Sequence, residues 1–541
     1  MLPRGRALCL VAALAMCVAS VAAPAAARVA RQPVSAPTVK STPPGPAMYS
    51  DFTYERLRVP MRDGVELSVD IWRPVTDGVK VPVILTMTPY HSLYKALDPI
   101  EEDLPLGDAK IFVPQGYAYA QADVRGTYGS GGCWNYGGIK ERHDGYDLVE
   151  WLGTREWSNG RVAMTGGSYD GTTANAAAVE NPPHLATIVP ISAISRWWGY
   201  AYQQGTRSTY SGEAADSDPP SDTPTDFMFA YGFLPPPDPG SVTSAQQIAM
   251  RWQPCDRVEQ LLAGYNPQPD YNAFWKERDY LRRAKKVKVP VLISHGQRDF
   301  NVKTWEGTQW FEALRTPKMM VLGQWEHATP RGRYPGWDEL LGAWYARWLY
   351  GVRNGVEKTP PVIVQTNDRE WRAGRTWAAG QSKLFPLTGG EFVYLDDGTL
   401  TESEMMRGPA SDRFVVVDVP AKDLRLQGRP ILHLAASSDS PSTHFVAVLL
   451  DVGPGGQGTV ISRAFMNARY GNGLEEGVDL EPGAKQVFRL EFIDKDYIVP
   501  AGNHLRVIIA SSSNTWVAPD ASRATNTLYL DESTLEIPLA R

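Results

Sequence analysis

Cysteine is the scarcest of the chemically reactive residues in this chain. There are four in 541 residues, and two of them, Cys9 and Cys17, fall in the apolar N-terminal stretch. A disulfide framework or a cysteine-built zinc module is therefore excluded as the basis of the fold. Histidine is nearly as sparse, at eight. Neither H-E-x-x-H, nor C-x-x-C, nor a Walker-type phosphate loop occurs, so metal and nucleotide chemistry have no motif to stand on and no cofactor is called for. No block of basic residues stands out. The 54 lysines and arginines against 60 acids leave a net charge of −6 spread along the chain, which argues against nucleic acid as a partner. No internal repeat, coiled coil or long low-complexity segment appears.

What is present begins with a leader pattern. Arg4 and Arg6 precede the apolar run from Ala7 to Val18, and Ala25-Ala26-Ala27 offers a small-x-small cleavage site, the layout of a secretory signal over residues 1–27. The apolar run is too short and too poorly flanked for a bilayer span, so the mature chain is expected without one, and secreted or periplasmic. Cys133 and Cys255 then remain. An oxidising compartment allows them to pair, the alternative being two separate buried thiols. Residues 28–50, rich in Pro, Ala and Ser, read as a flexible lead-in.

From there the pattern is α/β. Leu57–Pro60 and Glu66–Trp72 alternate apolar and polar residues around Asp63-Gly64, as in a hairpin. Val81–Met87, Tyr117–Ala122, Arg161–Thr165, Ala186–Ser192, Val289–Ser294 and Met319–Leu322 are short apolar runs of the kind found in buried parallel strands. Helical patterns stand at Asp144–Leu152, Thr173–Val179, Trp305–Leu314 and Trp337–Tyr350. The stretch between Ser195 and Lys288 exceeds a crossover of roughly 30 residues. An inserted helical cap over about 196–285 is the simplest use for the excess, within a catalytic domain over 51–355. From residue 358 short β-type runs separated by Gly, Pro, Asn and Asp, beginning with Val362–Gln365, predict a C-terminal β-sandwich of jelly-roll type over 358–541.

The chemistry concentrates at Gly166-Gly167-Ser168-Tyr169-Asp170-Gly171, between a strand and an Ala-rich helix. A serine at such a turn is the nucleophile elbow of an α/β-hydrolase. Its Oγ is lifted out of the sheet edge, and the Tyr169 N–H faces any oxyanion that forms. Such an enzyme needs an acid and then a histidine, each after a later strand. Asp299 and His327 meet both conditions. His295 precedes the acid and is in the wrong order, and the other histidines lie in helical flanks, in the β-rich region or after the strand end at Tyr90.

The elbow departs from G-x-S-x-G, because Asp170 stands two residues after the serine and the glycine one later. G-x-S-Y-x-G resembles instead the X-prolyl dipeptidyl-peptidase and cocaine-esterase family of serine hydrolases. Asp123-Val124-Arg125-Gly126 with Gly129 and Ser130 is similar to that family's D-x-R-G-x-G-x-S loop, with Tyr128 as one extra residue. Asp144-Gly145-Tyr146-Asp147, Trp157-Ser158-Asn159-Gly160, His295-Gly296-x-x-Asp299-x-Asn301-Val302-Lys303 and Pro500-Ala501-Gly502-x-x-Leu505-Arg506 extend the resemblance over most of the chain. It implies that Tyr90 donates its phenol O–H to the oxyanion beside Tyr169; the residue alone reads as an aromatic lining a pocket. Asp123 and Asp144 are expected to hold loops through backbone N–H groups.

The resemblance implies a serine hydrolase releasing Xaa-Pro dipeptides from peptide N-termini through an acyl-enzyme. Trp197, Trp198 and Tyr200 are candidates for its apolar proline pocket. Glu213, Asp216 and Asp218 are candidates for the anion facing the substrate ammonium, although a solvated acidic loop reads them as well. The rival is a carboxylesterase similar to cocaine esterase, acting on acyl or aryl esters. A hydrolase of α-amino-acid esters is disfavoured, since that branch carries carboxylates where this chain has Asn301 and Val302. A binding protein with a vestigial hydrolase domain is the reading from another class, and an intact Ser168, Asp299 and His327 argues against it. Homo-oligomer assembly is left open by the sequence.

Overall fold

The apolar and polar alternation of Phe52–Pro60 (β1) and Glu66–Pro74 (β2) closes into an antiparallel hairpin, as expected. The coordinates are a computed structural model that describes residues 48–91, 104–105, 107–208, 255, 269–377, 380–396, 398–520 and 522–540. The leader over 1–27, the lead-in before residue 48, the acids Glu213, Asp216 and Asp218, and most of the expected cap lie outside the described residues. Of the cap segment, the short helix Trp197–Ala201, the two-residue strands Tyr202–Gln203 (β7) and Thr206–Arg207 (β8), and the helix Ala273–Glu277 are described.

Val81–Thr88 (β3), Ala118–Asp123 (β4), Ser158–Gly167 (β5), Leu185–Ile191 (β6), Val291–Gly296 (β9) and Lys318–Gly323 (β10) are the continuous apolar runs, joined by Val362–Gln365 (β11) and Trp371–Gly374 (β12). With the hairpin they form one ten-stranded sheet in the order β1-β2-β4-β3-β5-β6-β9-β10-β11-β12. It is parallel from β4 to β11 and antiparallel at both edges. β3, β4 and β9 are buried at every position, as strands covered on both faces must be. Helices Ile139–Gly153 (α1) and Tyr169–Ala178 (α2) pack on each other and on β5. Trp305–Ala313 (α3) follows β9. The Trp-rich Trp337–Leu349 (α4) covers the face to which Ala163, Val189, Leu292, Val321 and Ile363 point. There Trp344 Nε1 donates to Thr187 Oγ1 at 2.8 Å.

One expectation is corrected. Val362–Gln365, expected in the C-terminal sandwich, pairs instead in parallel with β10, Met320 opposite Val362 and Leu322 opposite Val364. Its three leading apolar residues are buried. An exposed edge at β10 would leave a row of unpaired backbone groups, and β11 with its antiparallel partner β12 completes the sheet instead.

Beyond Gly374 the chain is β-rich. Gln381–Pro386 (β13), Glu391–Leu395 (β14), Phe414–Val419 (β15), Leu424–Gly428 (β16), Ile431–Ser438 (β17), His444–Val452 (β18), Gly458–Asn467 (β19), Gln486–Glu491 (β20), Lys495–Val499 (β21), His504–Ala510 (β22), Thr525–Tyr529 (β23) and Thr534–Leu539 (β24) divide between two sheets. The smaller sheet runs β15-β22-β18-β19, and the larger contains β14-β23-β17-β24-β16-β21 with β13 and β20 attached. Leu432, Leu434, Phe488, Leu528 and Ile537 of one sheet pack against Phe445, Ala447, Leu449, Leu505 and Val507 of the other, which makes a β-sandwich. Among the described residues no helix is long and apolar enough to cross a membrane.

Candidate active site

The strand order reverses at β3 and β4, and the neighbouring β5 ends at the C-terminal sheet edge where open α/β sheets bind ligands. Ser168 stands there with φ 60° and ψ −124°, a left-handed region that a residue other than glycine enters only under strain. Close packing enforces that turn. A Cβ on Gly171 would lie 2.6 Å from the Gly166 carbonyl oxygen, and one on Gly166 would lie 2.3 Å from the Asp170 Cβ. The Ser168 N–H donates to Ile191 O at 2.8 Å. Ser168 is also the N-cap of α2, so free N–H groups and the positive end of the helix dipole face the site.

Tyr90 comes from the strand end after β3. Its hydroxyl donates to Ser168 Oγ at 3.2 Å and accepts from the Tyr169 N–H at 3.4 Å. The two donors expected for an oxyanion thus converge beside the serine. The Tyr169 side chain points away from them, its hydroxyl donating to Glu141 Oε2 at 2.6 Å and accepting from Trp134 Nε1 at 2.7 Å. Glu141 also accepts from the N–H groups of Asn135 and Gly137. Burial pushes Glu141 up to about 7, against the Tyr169 hydroxyl and the Gly137 N–H, which hold it down. The adjoining Cys133 is joined to Cys255 by a disulfide.

Asp299 follows β9 and His327 follows β10, side by side in the sheet. His327 Nδ1 lies 2.7 Å from Asp299 Oδ2. Asp299 is fully buried, and its Oδ1 accepts from the Val302 N–H at 2.9 Å. His295 Nε2 donates to Val302 O at 2.7 Å and stands 3.5 Å from Asp299 Oδ2. Burial raises the Asp299 carboxyl, but the imidazoles of His327 and His295 more than reverse that and hold it at about 2. For His327 the signs are opposite: burial lowers it, and the Asp299 charge and hydrogen bond raise it above its ordinary value.

The other expected residues divide. Trp197 is wholly buried behind the elbow, its ring 5.3 Å from that of Tyr169 and 4.6 Å from that of Tyr136. Tyr200 reaches the acid loop, donating to Asn301 Oδ1 at 3.1 Å. Trp198 packs instead on Tyr202 and Tyr271 and donates to Pro269 O. Asp123 accepts from the Gly129 N–H at 3.0 Å, as expected, and also pairs with His91 at 2.6 Å. Among the described residues Asp144 holds no backbone N–H. It takes the Arg125 guanidinium through two hydrogen bonds, Nε to Oδ2 at 2.6 Å and Nη2 to Oδ1 at 2.5 Å, because a fully buried carboxylate needs a charged partner more than a neutral donor. Sequence reasoning passed over Glu141 and Gln297 and set His91 aside, because the side chains that give them their places, Tyr169, Lys495 and Asp123, lie 28, 198 and 32 residues away. Among the described residues no group of three or more His, Cys, Asp or Glu side chains gathers as a metal site.

A serine at a strained strand-to-helix turn, two converging donors and an Asp–His pair with its acid buried, on a seven-strand parallel core with antiparallel edges, define an α/β-hydrolase-fold serine hydrolase. Residues 63–329 match the family described as X-Pro dipeptidyl-peptidase (S15 family), and residues 354–537 match its C-terminal non-catalytic domain. The chain belongs to that family. It is 30% identical over 530 residues to a Bacillus cereus protein named "Putative Xaa-Pro dipeptidyl-peptidase", covering 87% of this chain and 86% of that one. A Streptomyces avermitilis protein of the same name is 28% identical, covering 87% and 80%. In fold the chain is similar to a CocE/NonD family hydrolase from Staphylococcus aureus, with a TM-score of 0.72 at 18% identity over 94% of this chain and 100% of that one. An α-amino acid ester hydrolase gives 0.68 at 20% identity over 96% and 100%.

Proposed function

We propose that the protein is a dipeptidyl-peptidase that removes Xaa-Pro from peptide N-termini, with Ser168 as nucleophile, His327 as base and Asp299 as its orienting acid. The observation that carries the reading is the convergence of the Tyr90 hydroxyl and the Tyr169 N–H beside Ser168 Oγ, in a chain whose relatives bear that activity in their names. His327 takes the Ser168 proton as Oγ attacks the prolyl carbonyl, and the carbonyl oxygen, now negative, is met by Tyr90 and Tyr169. His327 then gives the proton to the departing peptide amine. Water, deprotonated by the same histidine, releases the dipeptide from the acyl-enzyme. Asp299, held ionised far below neutral pH, keeps Nδ1 protonated and stabilises the imidazolium.

The leader pattern of residues 1–27 supports an exported enzyme with a mature chain starting near Arg28. Trp197, packed behind Tyr169, supports a role as the rear wall of the proline pocket. The test compares Ala-Pro-anilide, its N-acetylated form and a simple aryl ester. Fast cleavage of the free amine, abolished by acetylation, is expected. Cleavage of the ester alone would move the enzyme to the esterase branch and leave the roles of Ser168, His327 and Asp299 intact.

A further inference from the structure

The loop carrying Asp299 is held by more than the sheet it springs from. On the hydrolase side, the Gln297 N–H donates to Gly323 O at 2.8 Å, and Thr304 Oγ1 donates to Gly296 O at 3.0 Å. On the other side stand three consecutive buried residues of the sandwich, Asp494, Lys495 and Asp496. The Lys495 ammonium donates to the Gln297 carbonyl oxygen. The Asp496 N–H donates to Gln297 Oε1 at 2.7 Å. Asp494 accepts from Thr308 Oγ1, on α3 just past the loop, and is itself fixed by Arg429 Nε at 2.6 Å. One short run of the sandwich therefore grips both ends of the segment between Gln297 and Thr308.

The middle of the loop is gripped as well. Phe300, next to Asp299, has the Trp516 ring at 4.9 Å, the Arg463 guanidinium at 4.7 Å and the Lys495 ammonium at 5.4 Å. Arg463 is locked by two hydrogen bonds to Glu402, both at 2.5 Å. A buried ammonium is costly, and a side chain such as methionine would fill the same space without that cost. Its position against a backbone carbonyl two residues before Asp299 gives it a use.

We propose that the C-terminal sandwich is a working part of the active site. Lys495 and Trp516 are positioning residues that fix the Asp299 loop and thereby the Asp299–His327 hydrogen bond. The inference rests on the reading of Asp299 as the orienting acid, and Asp299→Asn tests that reading separately. If Asp299→Asn keeps wild-type turnover, the triad assignment has failed, whatever Lys495 does.

The test uses the full chain with Lys495→Met, Trp516→Ala and the double variant, reading kcat, KM and the acid limb of kcat/KM against pH on a cleaved substrate. Each single variant is expected to lower kcat by about 10-fold or more with KM within about twofold, since a small displacement of a catalytic group costs up to about 100-fold. In Trp516→Ala, which leaves every charge in place, the acid limb should move to lower pH, because a looser Asp299 raises His327 less. The double variant should lose less than the product of the two single losses, as coupled sites do. Should Lys495→Met fail to fold, Trp516→Ala carries the test with the same two readouts. Wild-type kcat and an unmoved acid limb in the folded variants, with only the melting temperature lowered, would overturn the proposal.

Discussion

The nucleophile side of the site is built from backbone, whereas the acid–base side is built from side chains. Ser168 is aimed by a positive φ, by glycines whose replacement would strike main chain, and by a helix N-terminus, and one of the two donors beside it is a peptide N–H, the Tyr90 hydroxyl being the side-chain exception. Asp299 and His327 sit on two loops, and what joins them is a 2.7 Å hydrogen bond reinforced by His295, Val302 and the sandwich. Backbone geometry is fixed once the local chain folds. The second side depends on elements hundreds of residues apart meeting correctly, so it should respond more gradually to substitution and to pH.

The sharpest break of that comparison is at its centre. Ser168→Ala removes the proposed nucleophile and leaves the turn, so kcat should fall by about 10⁵–10⁶-fold with the melting temperature unchanged within a few degrees. Retained turnover would refute the mechanism. Next comes Asp299→Asn, which keeps shape but disrupts the tautomer of His327. A loss of about 10³–10⁴-fold in kcat is expected, of the size such substitutions produce in other triads. Tyr90→Phe removes one of two oxyanion donors and should cost about 10²–10³-fold in kcat, with KM little changed. An effect mainly on KM would make Tyr90 a pocket wall, the reading that its residue type alone suggested.

The same contrast explains what was legible in the sequence. The elbow could be read because its determinants, Gly166, Ser168 and Gly171, are contiguous and their spacing reflects local sterics. Strand ends at Gly296 and Gly323 placed Asp299 and His327, since order along the chain is all the fold requires of them. The position of Val362–Gln365 could not be read from composition, because a short apolar strand looks the same on the edge of a parallel sheet and in a sandwich. Only its pairing with Met320–Leu322 decides the matter. Likewise Asp144 announced a buried acid but not its partner, which is the Arg125 side chain. Trp198 showed an aromatic at the start of the expected cap but not which way it faces. Information of that kind resides in long-range contacts.

A smaller effect probes the backbone side alone. Gly171→Ala puts a methyl 2.6 Å from the Gly166 carbonyl oxygen, and main chain must shift to admit it. A destabilisation of about 1–3 kcal/mol is expected, visible as a lower denaturation midpoint, together with slower labelling of Ser168 by a fluorophosphonate. Unchanged stability and labelling would mean that the turn has slack, and that its rigidity is not what aims the serine.

The smallest expected effect, and the one that separates the two sides best, is in pH dependence. In the proposed mechanism His327 must be neutral to accept the Ser168 proton. Burial lowers its pKa, but the charge and hydrogen bond of Asp299 raise it above the ordinary 6.5. Activity should therefore fall as pH drops through a midpoint above 6.5, while Asp299 itself stays ionised until near 2. In Asp299→Asn the raising influence is gone and burial remains, so the residual activity should have its midpoint below 6.5. Stability runs the other way across neutrality. With its folded pKa raised, His327 contributes stability that is complete below its unfolded value and is lost as pH rises through the folded one. Asp299, with its folded pKa depressed, contributes stability present above about 3.8 and lost as pH falls toward 2. The interaction that stabilises the acid–base side is thus at its strongest where His327 is charged and unable to act as base, whereas on the nucleophile side the group near neutrality is Glu141, which lies behind Tyr169 and is pushed up to about 7 by burial. A wild-type acid limb below 6.5, or one that Asp299→Asn leaves in place, would show that the Asp299–His327 pair does not govern the reaction.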